Sequence, residues 1–149
     1  MSLKDRLMED MKAAMKAGAA GKKRLSVLRM ARAAIRSAEI DRMREFSDED
    51  VVEVLAREIK QRRDSAEEYM RLGQVEAARG LEDEIRILEE YMPAPLTEEE
   101  LTKMAKEAIA EAGAGSKKDL GKVMKLLMPG VKGRADGSTV REKVDSLLP

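Results

Sequence analysis

The chain has 149 residues, a formal net charge of zero, and neither Cys nor His. Those two absences exclude a disulfide framework, a thiolate nucleophile, an imidazole base and an ordinary zinc site, and zero net charge argues against whole-molecule attraction to nucleic acid or an anionic membrane. The only rings are Phe46, Tyr69 and Tyr91, so Leu, Ile, Val, Met and Ala must fill the core, which suits close helix packing and predicts an all-α, multihelical fold.

In chain order, Ser2 caps a first helix whose inward stripe is Leu3, Leu7, Met11 and Met15, and Gly18-Ala19-Ala20-Gly21 ends it. The charges in Met1 to Arg6 leave no apolar run of the kind a signal peptide or a membrane span needs, so a cytoplasmic location is expected. A second helix runs from about Lys22 to Arg44, with Leu25, Leu28, Ala31, Ile35 and Ala38 inward and Arg29, Arg32 and Arg36 sharing another face. Ser47 with Asp50 three residues on opens a third, through Val51, Leu55, Ile59 and Ala66 to Leu72-Gly73. A fourth, from Val75 to Tyr91, turns Ala78, Leu81, Ile85 and Leu88 inward. These four helices make an amino-terminal unit over residues 1–92.

Met92-Pro93-Ala94-Pro95 cannot continue a helix, and residues 93–96 are read as an exposed hinge. Thr97 with Glu100 opens a fifth helix that buries Leu101, Met104, Ala105, Ala108 and Ile109, ended by Gly113-Ala114-Gly115. Ser116 caps a sixth, which breaks at Pro129-Gly130, and a last helix from Ser138 to Leu148 turns Val140, Val144 and Leu147 inward. Residues 97–149 are therefore a three-helix domain.

Between Ser116 and Arg134 lie Lys117, Lys118, Lys122, Lys125, Lys132 and Arg134 against the single acid Asp119. This is a helix running into a basic elbow, and the six cations are the candidate RNA contacts. Gly121, Gly130 and Gly133 would let a phosphate backbone come close. On the alternative reading, the lysines are solvated and the glycines serve helix packing and turns. No ring lies here to stack bases, so sequence-specific single-strand reading is not expected. The second basic element, Arg29, Arg32 and Arg36 with Lys22, Lys23, Arg24, Arg42 and Arg44, is expected to pair with acids inside the bundle, among them Glu49, Asp50, Glu53, Glu82, Asp83 and Glu84. Met8, Met11, Met30 and Met124 sit at core spacing. Runs such as Glu82-Asp83-Glu84 point in different directions on a helix and cannot converge on one cation, so no metal site is expected. Gly113-Ala114-Gly115-Ser116-Lys117 follows a helix and lacks phosphate-loop spacing, so no catalytic residue and no cofactor is expected either.

The run from Leu120 to Gly137, together with Arg57 to Ser65 and Leu25 to Met30, resembles the YqeY protein family over essentially the whole chain. The carboxyl-terminal part is also similar to the tail domain of GatB, a subunit of the glutamine-dependent amidotransferase that amidates misacylated Glu-tRNA or Asp-tRNA. The resemblance implies two helical subdomains and a link to carbon-nitrogen ligation with glutamine as nitrogen donor. In that enzyme, glutamine hydrolysis and tRNA phosphorylation belong to parts that this chain does not have. The implied role is an accessory tRNA-binding module without catalysis of its own. One alternative is an adapter that docks a protein on its helical faces, and a second is an amidotransferase-like enzyme. The expected partner is accordingly tRNA or a protein, with no membrane and no metal.

Overall fold

The computed structural model describes all 149 residues. The fold is all-α, with seven helices in two compact units, Met1–Met92 and Pro93–Pro149. The first unit holds α1 (Leu3–Lys16), α2 (Lys22–Arg42), α3 (Asp48–Arg71) and α4 (Val75–Glu89), and the second holds α5 (Glu98–Ala112), α6 (Leu120–Val131) and α7 (Gly137–Leu147).

Three helix starts are locally encoded. Ser2, Ser47 and Thr97 each accept the backbone N–H three residues on, while Asp5, Asp50 and Glu100 reach back to the cap's own N–H. Each such box satisfies two amide donors that a helix leaves open, which stabilises the start by about 1 kcal/mol. Arg44 beside Asp50 adds an ion pair at 2.6 Å, and that contact holds the Asp50 carboxyl well below the usual range. Gly113 closes α5 in the left-handed conformation at φ 64°.

The first core packs Leu7, Leu28, Val51, Leu55 and Leu88, all fully buried, around Phe46 and Tyr91. Tyr91 donates its hydroxyl to the Asp10 carboxylate, and Arg6 lies over its ring at 5.1 Å. Burial, followed by the Asp10 contact, raises the Tyr91 pKa above its ordinary value. Arg62 is the one buried charge. Its Nε meets Glu84 at 3.2 Å and its Nη1 meets Glu58 at 3.2 Å and the Glu58 carbonyl at 3.1 Å. One cation between two half-buried carboxylates is a tie between α3 and α4 that neither helix can make alone.

The second core uses no ring at all: Leu101, Ala105, Val123, Leu127, Val131, Val140 and Val144 lead it. Residues 94–96 are bonded to this unit. The Leu96 N–H donates to the Arg134 carbonyl at 2.9 Å, and Arg134 Nε donates to the Ala94 carbonyl at 3.1 Å.

Several expectations change. Met15 is 52% exposed and Ala14 takes its place, because Ala14 lies seven residues from Leu7 and returns to the same face. Met30 is likewise exposed rather than in the core. The α2 helix stops at Arg42, where Met43 turns left-handed at φ 55°. The largest change concerns Pro129, which does not break α6: the helix runs on to Val131, whose side chain is fully buried. The proline sits in the last turn, so the only intrahelical bond it forfeits is the one to the Lys125 carbonyl. Burial of Leu127 and Val131 holds the turn in place, and the Lys132 N–H closes it on the Met128 carbonyl at 3.0 Å. Chain reversal falls after Val131, with Gly133 left-handed at φ 75°, and α7 starts at Gly137.

Three outcomes follow from these contacts. Arg62→Ala leaves two like charges facing each other and lowers the stability of the first unit by about 2–3 kcal/mol, read as a shift of the urea midpoint. Gly21 is buried with a Cβ position only 2.2 Å from the Ala14 carbonyl oxygen, so Gly21→Ala forces the α1–α2 turn apart and costs about 1–3 kcal/mol in the same assay. Arg134→Ala removes the bond to the Ala94 carbonyl; at about 1 kcal/mol of local opening, thermolysin cleavage within residues 93–96, mapped by mass spectrometry, becomes about fivefold faster.

Candidate nucleic-acid interface

The six cations of the carboxyl-terminal segment have different surroundings. Ser116 accepts the Lys118 N–H and caps a short 3-10 turn over Lys117–Asp119, which feeds directly into α6. Lys117 turns across to α7 and pairs with Asp145 at 3.3 Å. Arg134 pairs with Glu100 at 3.6 Å while bracing Ala94. Both are structural ties within the second unit. Lys132 sits just past α6 and is exposed, with interactions of its own.

Lys118, Lys122 and Lys125 are exposed, and no ion pair of the structure includes them. Their spacing of four and then three residues sets them on one side of the helix start, away from buried Val123 and Leu127. Asp119, the one acid of the segment, accepts the Gly115 N–H at 3.1 Å and forms no ion pair with these lysines, so three cations stand against one acid. The positive surface of this segment is therefore a strip running from the 3-10 turn into the first two turns of α6, and the elbow itself is largely engaged.

The glycines also divide by role. A Cβ on Gly121 would meet nothing within 4 Å, so this glycine does not serve close packing, whereas one on Gly130 would lie 3.0 Å from Met104 Cε, where α6 presses on α5. Gly133 supplies the positive φ of the reversal.

In the first unit, four basic residues of the second element do meet acids. Lys23 pairs with Asp83 at 2.8 Å, Arg24 with Glu90 at 2.8 Å, Arg42 with Glu53 at 3.6 Å and Arg44 with Asp50 at 2.6 Å. The expected pairing fails for the triplet itself: no ion pair includes Arg29, Arg32 or Arg36. The acids of α3 and α4 that pair with α2 do so near its two ends, and α1 beside the triplet offers Arg32 the Met11 thioether, at 3.7 Å.

Sequence reasoning did not single out Arg62, although its spacing of four from Glu58 within the Arg57 to Ser65 stretch was the available signal. Glu58, Gln61, Arg62 and Ser65 of that stretch line one wall of a groove of about 790 Å³ bounded by α2 and α4. No group of three or more Asp or Glu side chains is placed to hold a metal ion, and no helix is long and apolar enough to cross a membrane.

No match to the chain was found among curated proteins. A family model described as Yqey-like protein matches residues 4–148, a span that takes in both units. With nearly every residue inside that match, this all-helical chain belongs to the YqeY family.

Proposed function

We propose that the protein is a non-catalytic accessory module that binds tRNA in the service of tRNA-dependent amidation. The observation that carries this reading is the strip of Lys118, Lys122 and Lys125, three exposed cations with no acid partner on one side of a short helix. Phosphates bind such a strip by displacing counterions, and the interaction is independent of base sequence. The similarity of the second unit to the amidotransferase tail supports tRNA as the nucleic acid. Lys132 is a further candidate contact, while Lys117 and Arg134 act through the fold that presents the strip.

A second reading, a protein-interaction adapter, is favoured by one feature of the first unit. Tyr69, Met70, Leu72 and Val75 around the α3–α4 turn are between 37% and 62% exposed, an apolar cluster with no covering element.

The test is tRNA binding by fluorescence anisotropy across a salt series. The parent is expected to bind at low salt with a steep log–log dependence. The triple variant Lys118→Gln, Lys122→Gln, Lys125→Gln is expected to flatten that slope by about two, at roughly 0.7 to 0.9 per phosphate contact, and to weaken different tRNAs alike. Absence of binding at low salt, or equal binding by the variant, overturns the RNA reading. Stoichiometric co-purification of one protein, lost when Leu72 is changed to Lys, would put the adapter in its place.

A further inference from the structure

A groove of about 610 Å³ lies between α1 and α2, and its charged lining is Lys4, Arg29, Arg32 and Arg36 against Glu39 and Glu45. Lys4 and Glu39 offset one another, which leaves Glu45 against three arginines and the groove net positive. Glu39 Oε2 is already held by Lys4 Nζ at 2.6 Å and by the Phe46 N–H at 2.8 Å. Lys4, then the Phe46 amide, lowers the Glu39 pKa, with a smaller contribution from Arg36. That leaves Arg29, Arg32 and Arg36 with no ion pair on a helix whose other arginines, Arg24 and Arg42, each have a carboxylate.

We propose that this groove binds the phosphodiester backbone of a nucleic acid, with Arg29, Arg32 and Arg36 meeting successive phosphates. The site is separate from the α6 lysines, and it rests on the reading above only in the class of ligand. Three observations choose the occupant. The arginines stand three and then four residues apart, a line about 10 Å long at 1.5 Å per residue. A line suits a chain of phosphates better than one convergent anion. The guanidinium fork pairs well with phosphate oxygens. Of the apolar lining, Leu7 and Ile35 are 0% and 3% exposed, and only part-buried Met11 and the single methyl of Ala33 are left to meet a hydrophobic side chain, which disfavours an acidic amphipathic helix. No aromatic residue lines the groove, so the contact is with backbone rather than with stacked bases.

The test uses the full chain and a labelled tRNA transcript. Arg29→Gln, Arg32→Gln, Arg36→Gln is expected to make the log–log salt slope shallower by about two, and the matching triple Lys variant, which keeps the charge, to retain it. Unchanged helical circular dichroism confirms that the Gln variant is folded; should it unfold, Arg29→Gln with Arg36→Gln, both exposed, is read in its place and is expected to lower the slope by more than one. If the Gln variants bind as the parent does while the α6 lysine variant is impaired, this proposal fails and the function above stands. If only the arginine variants are impaired, the proposal stands and the α6 strip falls. No binding by the parent at low salt overturns both. If poly-glutamate of matched charge binds through these arginines while tRNA binding ignores them, the groove belongs to an acidic protein segment and the nucleic-acid assignment is overturned.

Discussion

Close approach of helices through short aliphatic side chains is the constraint on which the rest of the structure depends. With only three rings in the chain, no large side chain can fill space between widely separated helices. The second core shows the consequence, since Ala105, Ala108 and Ala112 bring α5 against its neighbours and Gly130 sits beside Met104. Fully burying one of these valines or leucines contributes about 1.5–3 kcal/mol, so a few well-seated residues per helix must outweigh the chain entropy lost in each small unit. Polar residues are thereby driven outward, and nearly two-fifths of the chain is charged. Placement of that charge is what gives this surface its character.

Much of the charge is paired internally. Cations on α2 meet acids at both of its ends, Arg62 bridges α3 and α4, and Lys143 of α7 reaches Glu98 of α5 at 2.9 Å. Exposed pairs of this kind add little stability singly. Their effect is selective, because they cancel positive potential wherever they form and leave it where they do not. Lys118, Lys122 and Lys125 in one unit and Arg29, Arg32 and Arg36 in the other are clustered places left uncancelled. On a molecule with no net charge, such local strips decide where a polyanion can rest.

What the sequence made legible was local. Caps at Ser2, Ser47 and Thr97 and the stop at Gly113 each involve residues a few positions apart, so spacing alone identified them. The inward stripes of Leu28, Ile35, Leu55 and Leu88 followed from helical period. What was not legible depends on neighbours distant in sequence. Whether Pro129 stops α6 is decided by the buried seat waiting for Val131, and whether Arg32 is paired depends on what α1 places opposite it. Within the candidate site, the six cations could be found by composition, but separating an open strip of three from two structural ties, with Lys132 apart from both, required the positions of Asp145, Glu100 and Ala94.

The contacts of Tyr91 have a consequence for synthesis of the chain. Its hydroxyl is bound by Asp10, Arg6 covers its ring, and its neighbour Glu90 is held by Arg24. The last turn of the first unit is thus latched to its first two helices, across 81 positions of sequence in the case of Asp10. On the ribosome, α1 and α2 can pair early as a hairpin, but the core containing Leu88 and Tyr91 closes only after the α4 end has left the exit tunnel. Until then the apolar faces of α1 to α3 stay open to water, and translation of the residues after Met92 supplies the interval in which they close.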